Sequence, residues 1–470
     1  MLERKVIFNL LRTHRLPYVL DRYSGAFLPL TEEKYAELLE VQNNSLLPED
    51  SPLIREYQKL GLFLPNAIQR IEHPATALLE QYINTRTKQL ILQLTQRCNL
   101  NCSYCAFSGR YAKNRVHANK SMSIEVAKAA IDLFLTHNRD LAVVLIAFYG
   151  GEPLLEFDLL KECVEYAKNA VEGKTISYSI TTNGTLLTDS VADYLADNNF
   201  TLSISLDGSK EEHDINRKYV NGAGSFDDVI NNIKKLKHRH PEFDKKIQIL
   251  TTINPYMDLS CALEFFGTEE LFEDKQIIFN QMNEINLNQS LDYDDEFFMV
   301  RNYEYIKMLM SMIGKLSSEH VSPLFARTRN DIEKRQRQIH RHSALPRIVH
   351  HGGPCIPGVR RIFVRTDGAL YPCERVSEIV DYYNIGTVSG GLDLAKMEEI
   401  LNIGKLTDAE CIDCWCIRQC SVCAGQIEFD TVPTRDDKRR CCPANERKAL
   451  FDLHELCVLN EFGLVDERKG

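Results

Sequence analysis

Short apolar runs alternate with amphipathic stretches through the middle of the chain, between Gln89 and Asn286. The apolar runs have the length of β-strands and lie at 90–94, 143–149, 176–181, 201–206, 247–252 and 276–280. Apolar residues with helical spacing lie between them, at 124–136, 159–171, 190–197, 229–237 and 262–266. Repeated strand–helix units predict an α/β fold with a parallel sheet. Six strands predict an open, partial (β/α)6 TIM-like barrel with its site at the carboxyl ends of the strands.

The first part of the chain, residues 1–82, shows a different pattern. Apolar residues alternate over 6–11 and 17–30, which predicts a small antiparallel sheet. Thr31, followed by two glutamates, predicts the capped start of a helix, and a second helix is expected over 53–60. A small, winged-helix-like α+β unit of this kind can receive an extended peptide at a free sheet edge, or it can serve only as a structural cap on the main domain.

The part of the chain after the barrel pattern changes character twice. Residues 293–341 have a mostly helical pattern with an interruption at Pro323 and end in a basic run typical of a solvated helix face. From His350 onward Cys, Gly and Pro dominate, which favours folding around metal. We therefore predict four segments: a small α+β domain at 1–82, which this pattern alone leaves open between peptide recognition and a structural cap, the barrel at 83–290, a helical bridging region at 291–348 and a cysteine-rich domain at 349–470.

Composition restricts the class of protein. A chain of 470 residues is expected to form two or three domains, and its 44% hydrophobic and 26% charged content is that of an ordinary globular protein. The net charge of -10 argues against general nucleic-acid binding. The N-terminus lacks a secretion signal and no run is long enough to span a bilayer, so we expect a cytoplasmic protein without a membrane partner.

The fifteen cysteines indicate metal binding, because the cytosol keeps thiols reduced. Three of them lie in one loop after the first barrel strand, and nine lie between Cys355 and Cys442. The remaining three, Cys163, Cys261 and Cys457, are expected to be small buried apolar residues.

The first cysteine loop carries Cys98, Cys102 and Cys105, with three and then two residues between them. Three thiolates on a short loop can hold three irons of a four-iron cluster and leave the fourth iron open to another ligand. The alternatives are a zinc knuckle, which would need a fourth ligand, and a set of buried thiols. The spacing resembles that of the radical S-adenosylmethionine (radical SAM) enzymes, which implies a [4Fe–4S] cluster and S-adenosylmethionine as cofactors.

A glycine pair followed by a carboxylate, Gly150-Gly151-Glu152, stands after the second strand. Glycine lets the backbone approach a ligand closely, and a carboxylate or exposed carbonyls can accept hydrogen bonds from an ammonium group. Alone the motif would be a plain turn. Behind a three-cysteine loop it resembles the radical SAM element that holds the methionyl amine.

Further candidate cofactor contacts lie at later strand ends. Ser205 and Arg217 resemble the family's pair that binds the methionyl carboxylate, for which a guanidinium fork is well shaped. The alternative for Arg217, on generic grounds, is a surface ion pair. The resemblance further implies that Asn183 contacts the ribose or the methionyl group and that Tyr104 packs on adenine.

The distal cysteines resemble the SPASM domain, which holds two auxiliary iron–sulfur clusters. The resemblance implies Cys355, Cys373 and Cys423 for the first cluster. For the second it implies Cys411, Cys414 and Cys420 with either Cys441 or Cys442. The fourth ligand of the first cluster stays open between Cys416, Cys442 and none, and an open iron there could bind a substrate thiolate. The family usually has three residues where two separate Cys420 from Cys423, and a structural zinc at Cys411 and Cys414 is the alternative.

Glu374, directly after Cys373, occupies the place of an acidic residue used as a base in related sulfatase-maturing enzymes. It could take a thiol proton, or have only a surface or capping role. The pattern over 18–27 resembles the leader-peptide recognition domain of peptide-modifying radical SAM enzymes.

Together the resemblances imply a SPASM-group enzyme that installs thioether crosslinks in a ribosomally made precursor peptide. Its expected electron donor is a flavodoxin or ferredoxin. Carbon–carbon crosslinking and formylglycine generation in a sulfatase are alternatives. A non-catalytic iron–sulfur scaffold is disfavoured because it would need neither the glycine pair nor Arg217.

Overall fold

The structure, a computed structural model, describes residues 5–339 and 343–463. Its N-terminal part is an antiparallel sheet in the order β1-β2-β3, followed by two helices: β1 (Phe8–Arg12), β2 (Pro17–Asp21), β3 (Phe27–Pro29), α1 (Glu32–Gln42) and α2 (Pro52–Lys59). Thr31 caps α1, as its sequence predicts, because its hydroxyl accepts a hydrogen bond from the N–H of Lys34. Val19, Leu38 and Phe63 belong to a small core of this unit's own.

The barrel strands follow a short connection made of β4 (Arg70–Ile71) and α3 (Leu79–Arg86). Consecutive barrel strands pair in parallel, so the predicted strand–helix alternation is confirmed. The strands are β5 (Gln89–Thr95), β6 (Val143–Gly150), β7 (Thr175–Thr182), β8 (Thr201–Ser205), β9 (Gln248–Ile253) and β10 (Gln276–Gln281).

The helices between the strands pack apolar faces onto the sheet. In α4 the buried residues are Ala127, Ala130, Ile131 and Phe134, which share one face at helical spacing. These side chains join the largest core of the molecule. The helices are α4 (Ile124–Thr136), α5 (Phe157–Ala170), α6 (Asp189–Asp197), α7 (Lys210–Asn216), α8 (Phe226–Arg239), α9 (Pro241–Asp244) and α10 (Leu259–Thr268).

Two longer helices, α11 (Asp295–Met312) and α12 (Ala326–Ile339), follow the barrel. Pro323 starts the single 3-10 turn that precedes α12, as expected for a residue that interrupts helices. The basic run continues to Arg341, which lies outside the described residues. No helix within the described residues is long and apolar enough to cross a membrane.

The C-terminal region extends the barrel sheet. Strand β11 (Ile348–Val349) pairs with β4, and four short strands follow: β12 (Ile362–Val364), β13 (Ala369–Tyr371), β14 (Gly386–Thr387) and β15 (Gly391–Leu392). Strand β12 pairs in parallel with β5, so one ten-stranded sheet runs through both regions. Four helices follow in the described residues up to 463: α13 (Leu394–Leu401), α14 (Asp408–Asp413), α15 (Arg435–Arg440) and α16 (Cys442–Glu461).

Candidate active site and cysteine centres

The backbone at the end of β6, from Gly150 to Glu152, forms hydrogen bonds with the backbone of the first cysteine loop. The N–H of Gly151 donates to the carbonyl of Thr95 at 2.9 Å, and the N–H of Glu152 donates to the carbonyl of Arg97 at 2.8 Å. A Cβ on Gly151 would lie 2.0 Å from the carbonyl oxygen of Arg97, which is closer than any side chain tolerates. The two loops therefore meet at a contact that only glycine allows.

The three thiols of the first loop lie together at the carboxyl end of β5. Burial, with a smaller contribution from neighbouring thiols of the loop, raises the pKa of Cys98 and of Cys102 to about 12. Backbone N–H groups of Leu100 and Phe107 each donate to one of these sulfurs, Cys98 Sγ and Cys105 Sγ, at 3.4 Å. Three soft sulfur donors with N–H groups directed at them fit an iron–sulfur cluster.

The carboxylate of Glu152, just after β6, forms hydrogen bonds with residues at the end of β7. It accepts hydrogen bonds from the N–H of Asn183 and the hydroxyl of Thr182, both at 2.7 Å, and from the N–H of Leu154 at 3.0 Å. Burial raises its pKa to about 7, against the effect of these donors. The chain itself therefore supplies two donors to Oε1 and one to Oε2 of this carboxylate.

Asn183 lies beside the first cysteine. Its Nδ2 donates to Asn99 Oδ1 at 2.8 Å and is 4.0 Å from Cys98 Sγ. Ser205, the last residue of β8, is half-buried at the same edge of the sheet. The structure therefore brings both predicted residues to the strand ends that carry the cysteine loop.

Arg217 is buried, so the surface ion pair considered for it is wrong. Its exposed fraction is 7%, and it donates to Asp207 from Nε at 2.8 Å and from Nη2 at 3.2 Å. Tyr104 donates its hydroxyl to the same carboxylate, and the guanidinium lies 5.3 Å from the Tyr104 ring centroid. The Nη1 group makes no hydrogen bond within the described residues, which leaves this side of the fork to a ligand.

Sequence reasoning missed Asp207 and a second buried network at the barrel mouth. Arg115 donates to Glu378 at 2.9 Å, and Gln93 donates to the other oxygen of Glu378 at 2.8 Å. His117 Nε2 lies 3.7 Å from Cys105 Sγ. Asp207 could have been found because it lies two residues after the end of β8, whereas Arg115 and Glu378 are 263 positions apart in the sequence and leave no local signal.

The first distal group contains Cys355, Cys373 and Cys423. Burial raises the pKa of Cys373 and Cys423, and other thiols of this group add to the rise, which places the three together. Arg361 donates from Nη1 to both oxygens of Glu374, at 2.6 and 2.7 Å. Glu374 is therefore an ion-paired carboxylate beside the group and not a free surface residue.

The second distal group contains Cys411, Cys414, Cys420 and Cys442. Burial raises the pKa of Cys442, the Lys438 ammonium opposes the rise, and the other three thiols add to it. The list of fourth ligands considered for the first cluster needs correction, because Cys442 lies here and Cys416 lies 3.6 Å from Cys414, sulfur to sulfur.

The neighbouring Cys441 lies on the side of the first distal group, away from Cys442 and the second group. Its Sγ lies 3.6 Å from the carbonyl of Gln426, whose N–H and side chain bond Cys423 of the first group. Adjacent cysteines at the start of α16 are thus divided between the two groups.

Buried positive charges lie around the second distal group, and they show whether its environment suits an anionic cluster. Lys438 Nζ lies 3.6 Å from Cys411 Sγ, and Arg22 bonds the carbonyl of Ile412. Arg22 Nε is buried without a hydrogen-bond partner. Four thiolate donors with unneutralised buried cations fit an anionic metal cluster.

Comparison with known proteins agrees with this geometry. Residues 92–254 match the family model described as the Radical SAM superfamily. An uncharacterised protein of Methanocaldococcus jannaschii is 37% identical over 36% of this chain and 56% of its own length. A cysteine-type anaerobic sulfatase-maturating enzyme of Clostridium perfringens is 26% identical over 78% of this chain and 92% of its own.

The extent of similarity differs among the relatives. Two further sulfatase-maturating enzymes, from Bacteroides thetaiotaomicron and Clostridium novyi, align over 36% and 43% of their own length, so the chain spans about half or less of several relatives. The solved structure of native anSMEcpe with bound AdoMet superposes with a TM-score of 0.56 at 20% identity, covering 79% of this chain and 99% of that chain. At this identity the match shows a shared fold.

Proposed function

We propose that this protein, an enzyme of the radical SAM superfamily, installs thioether crosslinks in a ribosomally made peptide. One observation supports a shared reaction space most directly: Arg115, ten residues after Cys105, donates to Glu378, five residues after Cys373, at 2.9 Å. The Arg115 guanidinium also lies 3.7 Å from the ring centroid of Phe107, whose N–H donates to Cys105 Sγ. The first cysteine loop and the first distal group therefore border the same part of the barrel mouth.

Cys98, Cys102 and Cys105 are the proposed ligands of the catalytic [4Fe–4S] cluster. With S-adenosylmethionine bound and one electron supplied, this cofactor pair provides a 5′-deoxyadenosyl radical that abstracts hydrogen from an unactivated carbon. The chain's own residues bind and orient the cofactor and exclude water from the radical.

The S-adenosylmethionine contacts are proposed from the positions of the strand-end residues. Backbone carbonyls at Gly150 and Gly151 would accept hydrogen bonds from the methionyl ammonium, while Arg217 Nη1 and Ser205 would bind the methionyl carboxylate. Asn183 orients the ribose or methionyl part beside Cys98, and the ring of Tyr104 forms a wall of the pocket. Glu152 supports this site indirectly, since it fixes the backbone of Asn183.

Thioether formation removes a hydrogen atom from the substrate carbon, a proton from the substrate thiol and one electron. We assign the proton to Glu374, which lies beside Cys373, and the electron to a cluster of the distal groups. The distal groups are the proposed sites of two auxiliary [4Fe–4S] clusters. A flavodoxin or ferredoxin is the proposed donor of the initiating electron, and the cytosol, where thiols stay reduced, is the proposed location.

The N-terminal unit is the proposed binding site for the leader part of the peptide. Strand β3 lies at one edge of its sheet, and an extended segment could pair there by adding a strand. Arg22 and Arg418 fix this unit to the cysteine-rich region. A bound leader would therefore be held at a fixed distance from the barrel mouth.

Formylglycine generation in a sulfatase is the second candidate. It is supported by the alignment that covers 92% of the Clostridium perfringens cysteine-type sulfatase-maturating enzyme. Both reactions begin with hydrogen abstraction from a peptide carbon, so the same site serves either one. The substrate and the fate of the carbon radical distinguish them.

Intact mass of a modified peptide tests both candidates. A short cysteine-containing peptide encoded beside this protein would be co-expressed with it under anaerobic conditions and then treated with a thiol-alkylating reagent. We expect loss of two hydrogens per event and cysteines that no longer alkylate. Loss of hydrogens with every thiol still reactive would contradict thioether formation and favour carbon–carbon crosslinking. Formylglycine in a sulfatase-derived peptide, with the encoded peptide unchanged, would favour the second candidate.

A further inference from the structure

Two side chains of the N-terminal unit form hydrogen bonds with the loop that carries the second distal group. Arg22, directly after β2, donates from Nη2 to the carbonyl of Ile412, which follows Cys411. Asn66 donates from Nδ2 to the same carbonyl at 2.9 Å. One charged and one neutral side chain of the N-terminal unit therefore hold a single peptide group of the cysteine loop.

Arg22 is buried, and no carboxylate of the described residues lies within ion-pair distance of its guanidinium. Its exposed fraction is 2%, its Nε has no hydrogen-bond partner, and it joins no ion pair within residues 5–339 and 343–463. Asp413 is exposed, and its carboxylate accepts a hydrogen bond from Asn66. Arg418 adds a second positive charge nearby and donates to the carbonyls of Arg22 and Tyr23.

Lys438 brings another buried cation to the same cysteines. Its exposed fraction is 2%, and its Nζ donates to Thr407 Oγ1 at 2.6 Å and lies 3.6 Å from Cys411 Sγ. No carboxylate lies within ion-pair distance of Lys438 in the part of the chain that the structure describes. Arg22 and Lys438 thus approach one cysteine group from two distant parts of the sequence.

Buried positive charges require an anionic partner, because an uncompensated buried charge strongly destabilises a fold. An iron–sulfur cluster held by thiolates supplies that charge, and it becomes more negative when it gains an electron. Cations beside such a cluster therefore stabilise its reduced state more than its oxidised state.

We propose that Arg22 and Lys438 are the counter-charges of the cluster in the second distal group, and that the docked N-terminal unit thereby raises the reduction potential of this cluster. The inference rests on the cluster assignment made under the proposed function. Neither side chain is a ligand of the cluster. Both act on it electrostatically, through the positive charge that they place beside its cysteines. Through Arg22, the unit proposed to bind the leader also sets the electron affinity of a metal centre.

A redox titration followed by electron paramagnetic resonance tests this inference. The full-length protein would carry Cys98→Ala, Cys102→Ala and Cys105→Ala, be reconstituted with iron and sulfide, and be titrated anaerobically with dithionite. Loss of one signal in a further Cys411→Ala variant identifies the second cluster. We expect Arg22→Gln to lower its reduction equilibrium constant tenfold or more, which for one electron is about 59 mV. The first distal cluster should keep its potential, and Arg22→Lys should restore most of the loss.

Matched variants separate charge from docking. Asn66→Ala removes the neutral hydrogen bond to the same carbonyl and should leave the potential unchanged. Lys438→Gln should lower the potential independently, which keeps the test decisive if Arg22→Gln does not fold. An equal shift in Asn66→Ala, or no shift in Arg22→Gln and Lys438→Gln, would overturn the inference alone. Zinc in place of iron in the second group of the unmodified protein would overturn both the inference and the cluster assignment.

Discussion

Arg217 and Asp207 form a buried two-point ion pair at the mouth of the barrel. The carboxylate of Asp207 is fully buried, and it accepts from both Nε and Nη2 of Arg217. The pair fixes the plane of the guanidinium and leaves its Nη1 group without a hydrogen bond to the described residues. It also ties the end of α7 to the end of β8, so the proposed cofactor contact and local stability depend on the same ion pair.

We expect Arg217→Ala to weaken S-adenosylmethionine binding and to lower the free energy of unfolding by about 3–5 kcal/mol, because it leaves Asp207 as an unpaired buried charge. Equilibrium dialysis under anaerobic conditions measures the first effect, and urea unfolding measures the second. Arg239→Ala removes an exposed pair with Asp193 and is the matched control, with an expected loss within about 1 kcal/mol. Unchanged cofactor affinity in Arg217→Ala would remove Arg217 from the proposed binding site.

The contact between the glycine pair and the cysteine loop gives a second prediction. In Gly151→Ala the added Cβ meets the backbone of Arg97, which cannot move without displacing Cys98. We expect this variant to lose S-adenosylmethionine cleavage and part of the iron of the first loop. In Gly267→Ala, in α10, the added Cβ meets no described atom within 4 Å. This variant should retain both S-adenosylmethionine cleavage and the iron of the first loop. Equal activity of the two variants would contradict the proposed role of the close approach.

The division of the cysteines between centres predicts separable iron losses. Cys98→Ala should abolish 5′-deoxyadenosine formation and leave the iron of the distal groups in place, because those groups share no ligand with the first loop. Iron analysis and chromatography of the reaction products check this. Cys261 is exposed, so the burial expected for it from the sequence is wrong, and Cys261→Ala should change neither quantity. Retained cofactor cleavage in Cys98→Ala would overturn the assignment of the first loop.

His213 predicts a pH dependence of stability. Burial lowers its pKa to about 4, and it lies within hydrogen-bond reach of Ser225 Oγ, 2.9 Å from its Nε2. Its pKa is lower in the folded state than the unfolded value near 6.5. Stability is therefore lost as the pH falls through the window from 6.5 to 4, where only the unfolded chain binds the proton. Between pH 7 and 5.5 the loss from this group is about 1 kcal/mol.

Urea unfolding of the unmodified protein and of His213→Gln at pH 7 and pH 5.5 measures this contribution. The variant should lack the loss that belongs to His213, so the difference between the two proteins should shrink at the lower pH. A difference that stays constant across this range would show that His213 does not titrate as its burial requires.

Glu374 predicts a separation between cofactor cleavage and product formation. Glu374→Gln removes the proposed acceptor of the thiol proton without touching the first cysteine loop. We therefore expect 5′-deoxyadenosine formation to continue while crosslinked peptide falls by about 10²–10⁴-fold, the usual contribution of a general base. Parallel quantification of both products measures the split. A proportional loss of both would indicate that Glu374 acts through Arg361 and local structure.

Local patterns predicted the elements of the barrel. Six apolar runs in alternation with helical spacing determined the parallel sheet, because each unit must bury one face against the next. Thr31 marked a helix start because a capping hydroxyl acts on an N–H only three residues away. In both cases the residues that decide the structure are near one another in the chain.

The spacing of Cys98, Cys102 and Cys105 determined the candidate chemistry for the same reason, since a loop of eight residues brings its own thiols together. Only the tertiary structure decided that Asp207 holds Arg217 and that Glu152 is used by neighbouring strand ends. It alone also decided that Cys441 and Cys442 face different groups. Arg22 and Ile412 are 390 residues apart, and their contact follows from the packing of the N-terminal unit against the cysteine-rich region. A contact of that kind cannot be predicted from the sequence, because it leaves no periodic pattern and no characteristic spacing of residues.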